Sequence, residues 1–265
     1  MMRRARWAAL ALVAALSACG GDGKKVTILP VVDEVVDAAA PTVPGAVEVS
    51  FETDDATITG SYWAPKDAAN PACVVFAHQL SSTRAEYVPV IARLVGTAHL
   101  YAIDLRGHGA STKGPDGAVT WKGFTLEDWE KIERDLLSAI GVVRQRGGGA
   151  RCVVVGASIG SSATLRLAAA APDRVAAVVL LSPGLNYRGL STVEAARTTR
   201  VPVLIVHSQE HGAVDAATAL ANLLTEGGTT VDVVADPGTA HGMKIVAGDP
   251  ALLDRVVAFI TAHAR

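Results

Sequence analysis

The chain carries almost no net charge: 24 Lys and Arg against 26 Asp and Glu leave a formal value of -2 at pH 7. Its cations are scattered, so there is no basic field to draw in a nucleic acid, and that class of partner is set aside. Also missing is any Gly-x-x-x-x-Gly-Lys-Ser/Thr loop to cradle nucleotide phosphates. No Cys-x-x-Cys pair of the kind that holds structural zinc is present. Internal repeats and low-complexity arrays are absent too, which excludes solenoid and filament architectures. What the chain does have is apolar residues, 50% of 265, enough to bury a substantial core in one large domain or two small ones.

The first residues read as an export signal rather than as fold. Met1-Met2-Arg3-Arg4-Ala5-Arg6 is a positive leader, followed by an apolar run from Trp7 to Leu16. That run is about half the ~20 residues a membrane-spanning helix needs. Leu16-Ser17-Ala18-Cys19 then resembles the lipobox of bacterial lipoprotein precursors. The resemblance implies cleavage before Cys19, a diacylglyceryl group on its sulfur and acylation of the new N terminus, several chains together making a durable anchor. The alternative is an ordinary secretory peptide cut near Ser17-Ala18. The expected division is a signal peptide over residues 1–18, a lipidated cysteine and tether over 19–45, and one folded domain over 46–265. Within the tether, a short helix is expected in residues 31–40.

From Val47 the pattern becomes regular. Val47 to Phe51 and Thr57 to Trp63 alternate apolar and polar residues around Asp54-Asp55, the signature of an antiparallel hairpin. Six compact apolar runs follow, over residues 72–77, 98–103, 152–155, 175–181, 203–206 and 231–234, each rich in Val, Leu or Ile. Runs of that kind suit parallel strands buried on both faces. Helical patterns lie between and after them, at residues 126–146, 161–171, 213–224 and 250–264. The alternation predicts an α/β domain, a mainly parallel sheet with helices on both sides.

One turn stands out. Cys152-Val153-Val154-Val155 ends in Gly156-Ala157-Ser158-Ile159-Gly160, a strand, a sharp turn and a helix start with a hydroxyl at the apex. Small residues at 156 and 160 let strand and helix approach, and Ser158 would stand at the positive end of the helix dipole. A serine at its free pKa is a weak nucleophile and needs a base, itself oriented by an acceptor. His241, on the glycine-rich loop Gly238-Thr239-Ala240-His241-Gly242 after the last strand, is the leading base. An oxyanion formed at Ser158 needs two backbone donors, and the amide of Ile159, the residue after the nucleophile, is one.

These motifs, in this chain order and covering about residues 45–265, resemble the α/β-hydrolase superfamily. Asp104-Leu105-Arg106-Gly107-His108-Gly109-Ala110-Ser111 is similar to its esterase and lipase-like members, and Leu181 to Gly189 to a branch of bacterial exported hydrolases and lipoproteins. The resemblance implies an eight-stranded sheet. It also places the second oxyanion donor in Ala77-His78-Gln79-Leu80-Ser81-Ser82, at Leu80 in preference to Gln79. Here Gln79 replaces a glycine of the family, which makes a positive φ harder to reach. His78, Asp104 and His108 are expected to brace these loops rather than to react.

The triad acid is the open point. The family's usual position after the seventh strand falls on His211, with Glu210 one residue earlier and Asp215 four later, while the other common position offers only Asn186. Glu210 is the first choice because its longer side chain offsets the displacement. Asp215 is the alternative, although it also suits the first turn of a helix.

Cys73 and Cys152 each open a strand, and the family's strand order sets those strands side by side. Two free thiols are the expectation, because adjacent parallel strands commonly offer poor disulfide geometry. Trp121, Phe124, Trp129 and Tyr187 are read as packing residues more than as cleft lining. The short stretch 182–202 leaves no room for a large lid, so a shallow site for short or soluble esters is expected. The reading is a membrane-tethered serine hydrolase of small-molecule carboxylic esters, with thioesters or peptides as related substrates. No metal or organic cofactor is needed. Its rival is an inactive scaffold that binds a ligand or partner in the cell envelope.

Overall fold

The computed structural model describes residues 32–34 and 43–264. The leader, the lipobox with Cys19 and most of the expected tether lie outside the described residues. The first strands are β1 (Val32–Glu34), β2 (Val47–Glu52), β3 (Thr57–Trp63), β4 (Cys73–Ala77) and β5 (His99–Ile103), with helix α1 (Val88–Leu94) between the last two. A small hairpin, β6 (Lys113–Gly114) and β7 (Gly117–Ala118), precedes the long helix α2 (Leu126–Gln145). Then come β8 (Cys152–Ala157), α3 (Ile159–Ala170), β9 (Val175–Leu181), the hairpin β10 (Asn186–Tyr187) and β11 (Leu190–Ser191), and α4 (Val193–Thr198). The chain closes with β12 (Val203–His207), α5 (Ala213–Glu226), β13 (Val231–Ala235), α6 (Met243–Gly248) and α7 (Pro250–His263).

All eight expected strands form, and the main path of the sheet runs β1-β2-β3-β5-β4-β8-β9-β12-β13. Pairing is antiparallel from β1 to β5 and parallel from β5 to β13. Strand β1 is a departure. Where a short helix was expected, Val32 to Glu34 pair with Ser50 to Glu48, because the outer edge of β2 is open and accepts a further strand. Between β9 and β12 only the β10–β11 hairpin and α4 intervene, so no large lid covers the sheet's carboxyl edge.

Alternation along the buried strands sends side chains to two separate cores. Val75, Val154, Leu180 and Ile205 face α2, α3, α4 and α5. Val74, Val153, Val179 and Leu204 face α1, α6 and α7. Strands sandwiched between two helical layers read as continuous apolar runs, as these do. Helix α2 begins at a capping box in which Thr125 and Asp128 exchange backbone and side-chain bonds, the local reason that its pattern starts where it does.

Cys73 and Cys152 are joined by a disulfide, contrary to the expectation of free thiols. Strands β4 and β8 run in register from Val74 opposite Val153, which brings the two cysteines to a Cα separation of 4.8 Å. Strand β8 also shifts register against β9 between Cys152 and Val153, so Cys152 departs from the regular parallel ladder that made a bridge look unfavourable. The bond links residues 79 apart in sequence, and a closed loop of that order contributes about 2–4 kcal/mol.

Candidate active site

The turn after β8 is a strained apex. Ser158 has φ 52 and ψ -115, a conformation a non-glycine residue holds only when its surroundings impose it. The surroundings are visible at the two glycines. A Cβ on Gly156 would lie 2.4 Å from the carbonyl oxygen of Gly160, and one on Gly160 would lie 2.2 Å from that of Ala77. Helix α3 therefore meets β8 and β4 backbone to backbone, as the small residues at 156 and 160 suggested. The Ser158 amide donates to Leu181 O at 2.9 Å, pinning the apex to the end of β9. Its carbonyl accepts from the Ser161 amide and hydroxyl at 2.9 and 2.6 Å. The serine is 7% exposed, buried yet reachable.

Two amides near the turn and the loop after β4 have no acceptor among the described residues. One is Ile159, the first residue of α3; the other is Leu80, in the loop after β4. Gln79, the other candidate in that loop, has its amide committed to Glu86 Oε1 at 3.0 Å. Glu86 Oε2 accepts from the Ser82 hydroxyl at 2.6 Å, so this carboxyl spans the loop from both sides. Burial is the largest influence on Glu86 and pushes its pKa up, opposed by the Ser82 and Gln79 bonds. The glycine that Gln79 replaces is not missed, because the left-handed residue of the loop is Ser81, at φ 59.

His78 braces the same loop. Its Nε2 accepts from the Leu105 amide at 2.9 Å, so Nδ1 carries the proton and donates to Gln79 O at 2.7 Å. Burial holds its pKa down to about 3, and the ring is neutral. Asp104 is likewise structural: it accepts from the Arg84 amide, the Arg84 guanidinium and the Ala110 amide. His108 stacks on Trp121 with ring centroids 5.4 Å apart and meets His78 edge-on at 5.0 Å. Of the four aromatics considered, Trp129 is core, at 3% exposure. Tyr187 lies beside the serine turn, its phenol donating to Ser182 O at 3.2 Å. Burial raises the pKa of that phenol, the charge of Glu210 adds to the rise, and the nearby Ser158 side chain opposes both.

The acid and base loops arrive from neighbouring strands, β12 and β13, and are tied together before either side chain is considered. Gln209 N donates to Gly238 O at 2.7 Å, and Asp236 N to His207 O at 2.8 Å. Within that frame His241 Nδ1 lies 2.5 Å from Glu210 Oε2. Asp215 is exposed in the first turn of α5, His211 is exposed on the turn before it, and Asn186 spends its carbonyl on the Gly189 amide of its own hairpin. The structure thus brings Glu210, and none of the other three, to the imidazole. It does not close a hydrogen bond between Ser158 Oγ and His241; the two loops are connected through Ser182, whose hydroxyl accepts from the Gly242 amide at 2.8 Å. Bonds of this kind are commonly long before substrate arrives.

Gly242 takes φ 58 and ψ -134, a region that favours glycine, and a Cβ there would lie 1.9 Å from Gln79 Oε1. The base loop and the oxyanion loop therefore touch through Gln79. Among the described residues no group of His, Cys, Asp and Glu is arranged to hold a metal ion.

Residues 68–195 match a family model described as serine aminopeptidase, S33. Among solved structures, the chain is similar to an esterase, Pf2001, of Pyrococcus furiosus, with TM-score 0.67, 16% identity, and coverage of 83% of this chain and 91% of that one. It is similar to the enol-lactonase of Burkholderia xenovorans LB400 with TM-score 0.62, 16% identity, and coverage of 78% and 97%. It also resembles an acylaminoacyl peptidase of Pyrococcus horikoshii, with TM-score 0.63 and 16% identity, over 83% of this chain and 41% of that one. At these identities the likeness is one of fold.

Proposed function

We propose that this chain, which has the fold of the α/β-hydrolase superfamily, is a serine hydrolase that cleaves carboxylic esters through an acyl-enzyme. The observation that carries the reading is a serine held at φ 52 on a strand-to-helix turn, with an imidazole–carboxylate pair on the adjoining loops. Ser158 Oγ attacks the carbonyl carbon as its proton passes to His241 Nε2. Glu210, on Nδ1, keeps the imidazole in the required tautomer and stabilises the imidazolium. Negative charge on the former carbonyl oxygen is met by the Ile159 and Leu80 amides, which have no other acceptor among the described residues. Collapse expels the alcohol, protonated by His241. Water then attacks the acyl-enzyme with the same base, returning the acid product and free serine.

An ester fits better than an amide because an alkoxide leaves with less protonation than an amine, and because no lid confines the substrate. The named neighbours act on an ester, a lactone and an acylaminoacyl peptide, so the fold leaves acyl-transfer substrates open and the shallow site favours small or soluble ones. The experiment is labelling with a fluorophosphonate, which reacts only with an activated serine. Wild-type protein is expected to label at Ser158, and His241→Ala to label at least about 100-fold more slowly, in line with the loss of a general base. Labelling at an equal rate without His241 would make the chain the inert binding scaffold instead.

Export and lipid attachment at Cys19 belong to the same proposal. Support comes from the leader, the lipobox and the buried disulfide, a bond that persists in oxidising compartments outside the cytosol. Radiolabelled palmitate is expected to enter the wild-type protein and not Cys19→Ala; incorporation undiminished in the variant refutes the anchor.

A further inference from the structure

Ser182 has no part in the chemistry described above, yet three active-site loops meet on it. It follows β9 directly, is 1% exposed, and sits at φ 48, in the left-handed region that a non-glycine residue occupies at a cost. Each of its polar groups is engaged. Its amide donates to Val206 O on β12 at 2.8 Å, on the strand that leads to Glu210. Its hydroxyl accepts from the amide of Gly242, the residue after His241, at 2.8 Å. Its carbonyl accepts from the Tyr187 phenol at 3.2 Å. One residue earlier, Leu181 O accepts the Ser158 amide at 2.9 Å.

We infer that Ser182 is a positioning residue, whose hydroxyl sets the base in register with the nucleophile; this rests on the serine-hydrolase reading given above. Two features of the backbone support it. A glycine would occupy φ 48 freely, so backbone geometry alone does not ask for serine at this place. A pin is needed on the other side of the contact, because Gly242 has the freedom of glycine and its amide has no other acceptor among the described residues. With the hydroxyl removed, the Gly242 amide loses its acceptor, and the turn that carries His241 is held by Gly238 and Asp236 at one end and by the Lys244 and Ile245 amides, which donate to His241 O and Gly242 O at 3.2 Å, at the other. Displacement of a reacting group by about 1 Å is enough to cost about 100-fold in rate.

Two substitutions separate position from stability. Ser182→Ala removes the hydroxyl and keeps the strained φ, whereas Ser182→Gly removes the hydroxyl and relieves the strain. Turnover of a soluble p-nitrophenyl ester is measured per active site, with sites counted by complete fluorophosphonate labelling, alongside Tm. Both variants are expected to lose about 10- to 100-fold in kcat with KM within about twofold, although Ser182→Gly melts at or above Ser182→Ala. The inference is overturned if kcat per labelled site stays within about twofold of wild type in both variants, or if Ser182→Gly regains activity together with Tm. Should wild-type Ser158 itself fail to label, the hydrolase reading falls first; normal labelling with unimpaired Ser182 variants removes this inference alone.

Discussion

Replacing Ser158 by alanine is expected to lower kcat for a soluble ester by about 10⁶-fold, the size of the loss when the nucleophile of a comparable triad is removed. The physical reason is that no other group here can take over the attack. Of the other hydroxyls near the turn, Ser161 and Ser182 are bonded to backbone atoms and buried, and Ser162, whose Oγ has no partner among the described residues, is fully buried where no substrate reaches it. Some rate above water should survive, because the Ile159 and Leu80 amides still favour the tetrahedral intermediate; such residual catalysis reaches about 10³- to 10⁴-fold. KM should change little, since the alanine leaves both loops and the cleft wall in place. Steady-state turnover on protein purified free of host esterases is the measurement. A loss of less than about 100-fold would mean that the hydrolysis proceeds without Ser158.

Glu210→Gln is expected to be the next most damaging change, between about 10²- and 10⁴-fold in kcat, with Asp215→Asn within about threefold of wild type. The upper figure belongs to a buried triad acid whose amide variant holds the imidazole in the wrong tautomer. Glu210 is 40% exposed at its side chain, so water and salt weaken its hold on the imidazolium and the lower part of the range is the better expectation. Asp215 lies in the first turn of α5, where its charge favours the helix dipole and has no path to the imidazole. Parallel measurement of the two variants on one substrate decides the assignment. If Asp215→Asn lost more turnover than Glu210→Gln, the proton relay would have to be redrawn around α5.

Much of the architecture was legible in local pattern. Short Val-rich runs announced strands buried on both faces, and Gly156 and Gly160 announced a turn in which backbone meets backbone, because these signals arise within a few residues of one another. The same holds for Ile159: a helix that starts right after the serine necessarily offers its first amide beside the hydroxyl. The resemblance already favoured Leu80 over Gln79 in its loop. What the structure adds is that Glu86, seven residues further on, takes the Gln79 amide.

Other features depend on elements distant in the chain. The sequence favours Glu210 over Asp215 only by the length of its side chain. What separates them is the Gln209–Gly238 bond between neighbouring strands, which fixes where the turn after β12 points. The Cys73–Cys152 bridge depends on the register of β4 against β8 and on a shift between β8 and β9, neither of which is written near the cysteines. Ser182 left no trace beyond standing after the fourth apolar run and before Pro183, because its bonds go to Val206, Tyr187 and Gly242, on three different segments. Contacts between neighbouring residues are encoded in their spacing, so the strand order of types and the serine turn could be read directly. Contacts between loops exist only once the sheet has brought its strand ends together, and for that reason the Glu210–His241 pair, the disulfide and the Ser182–Gly242 bond were decided by the tertiary structure.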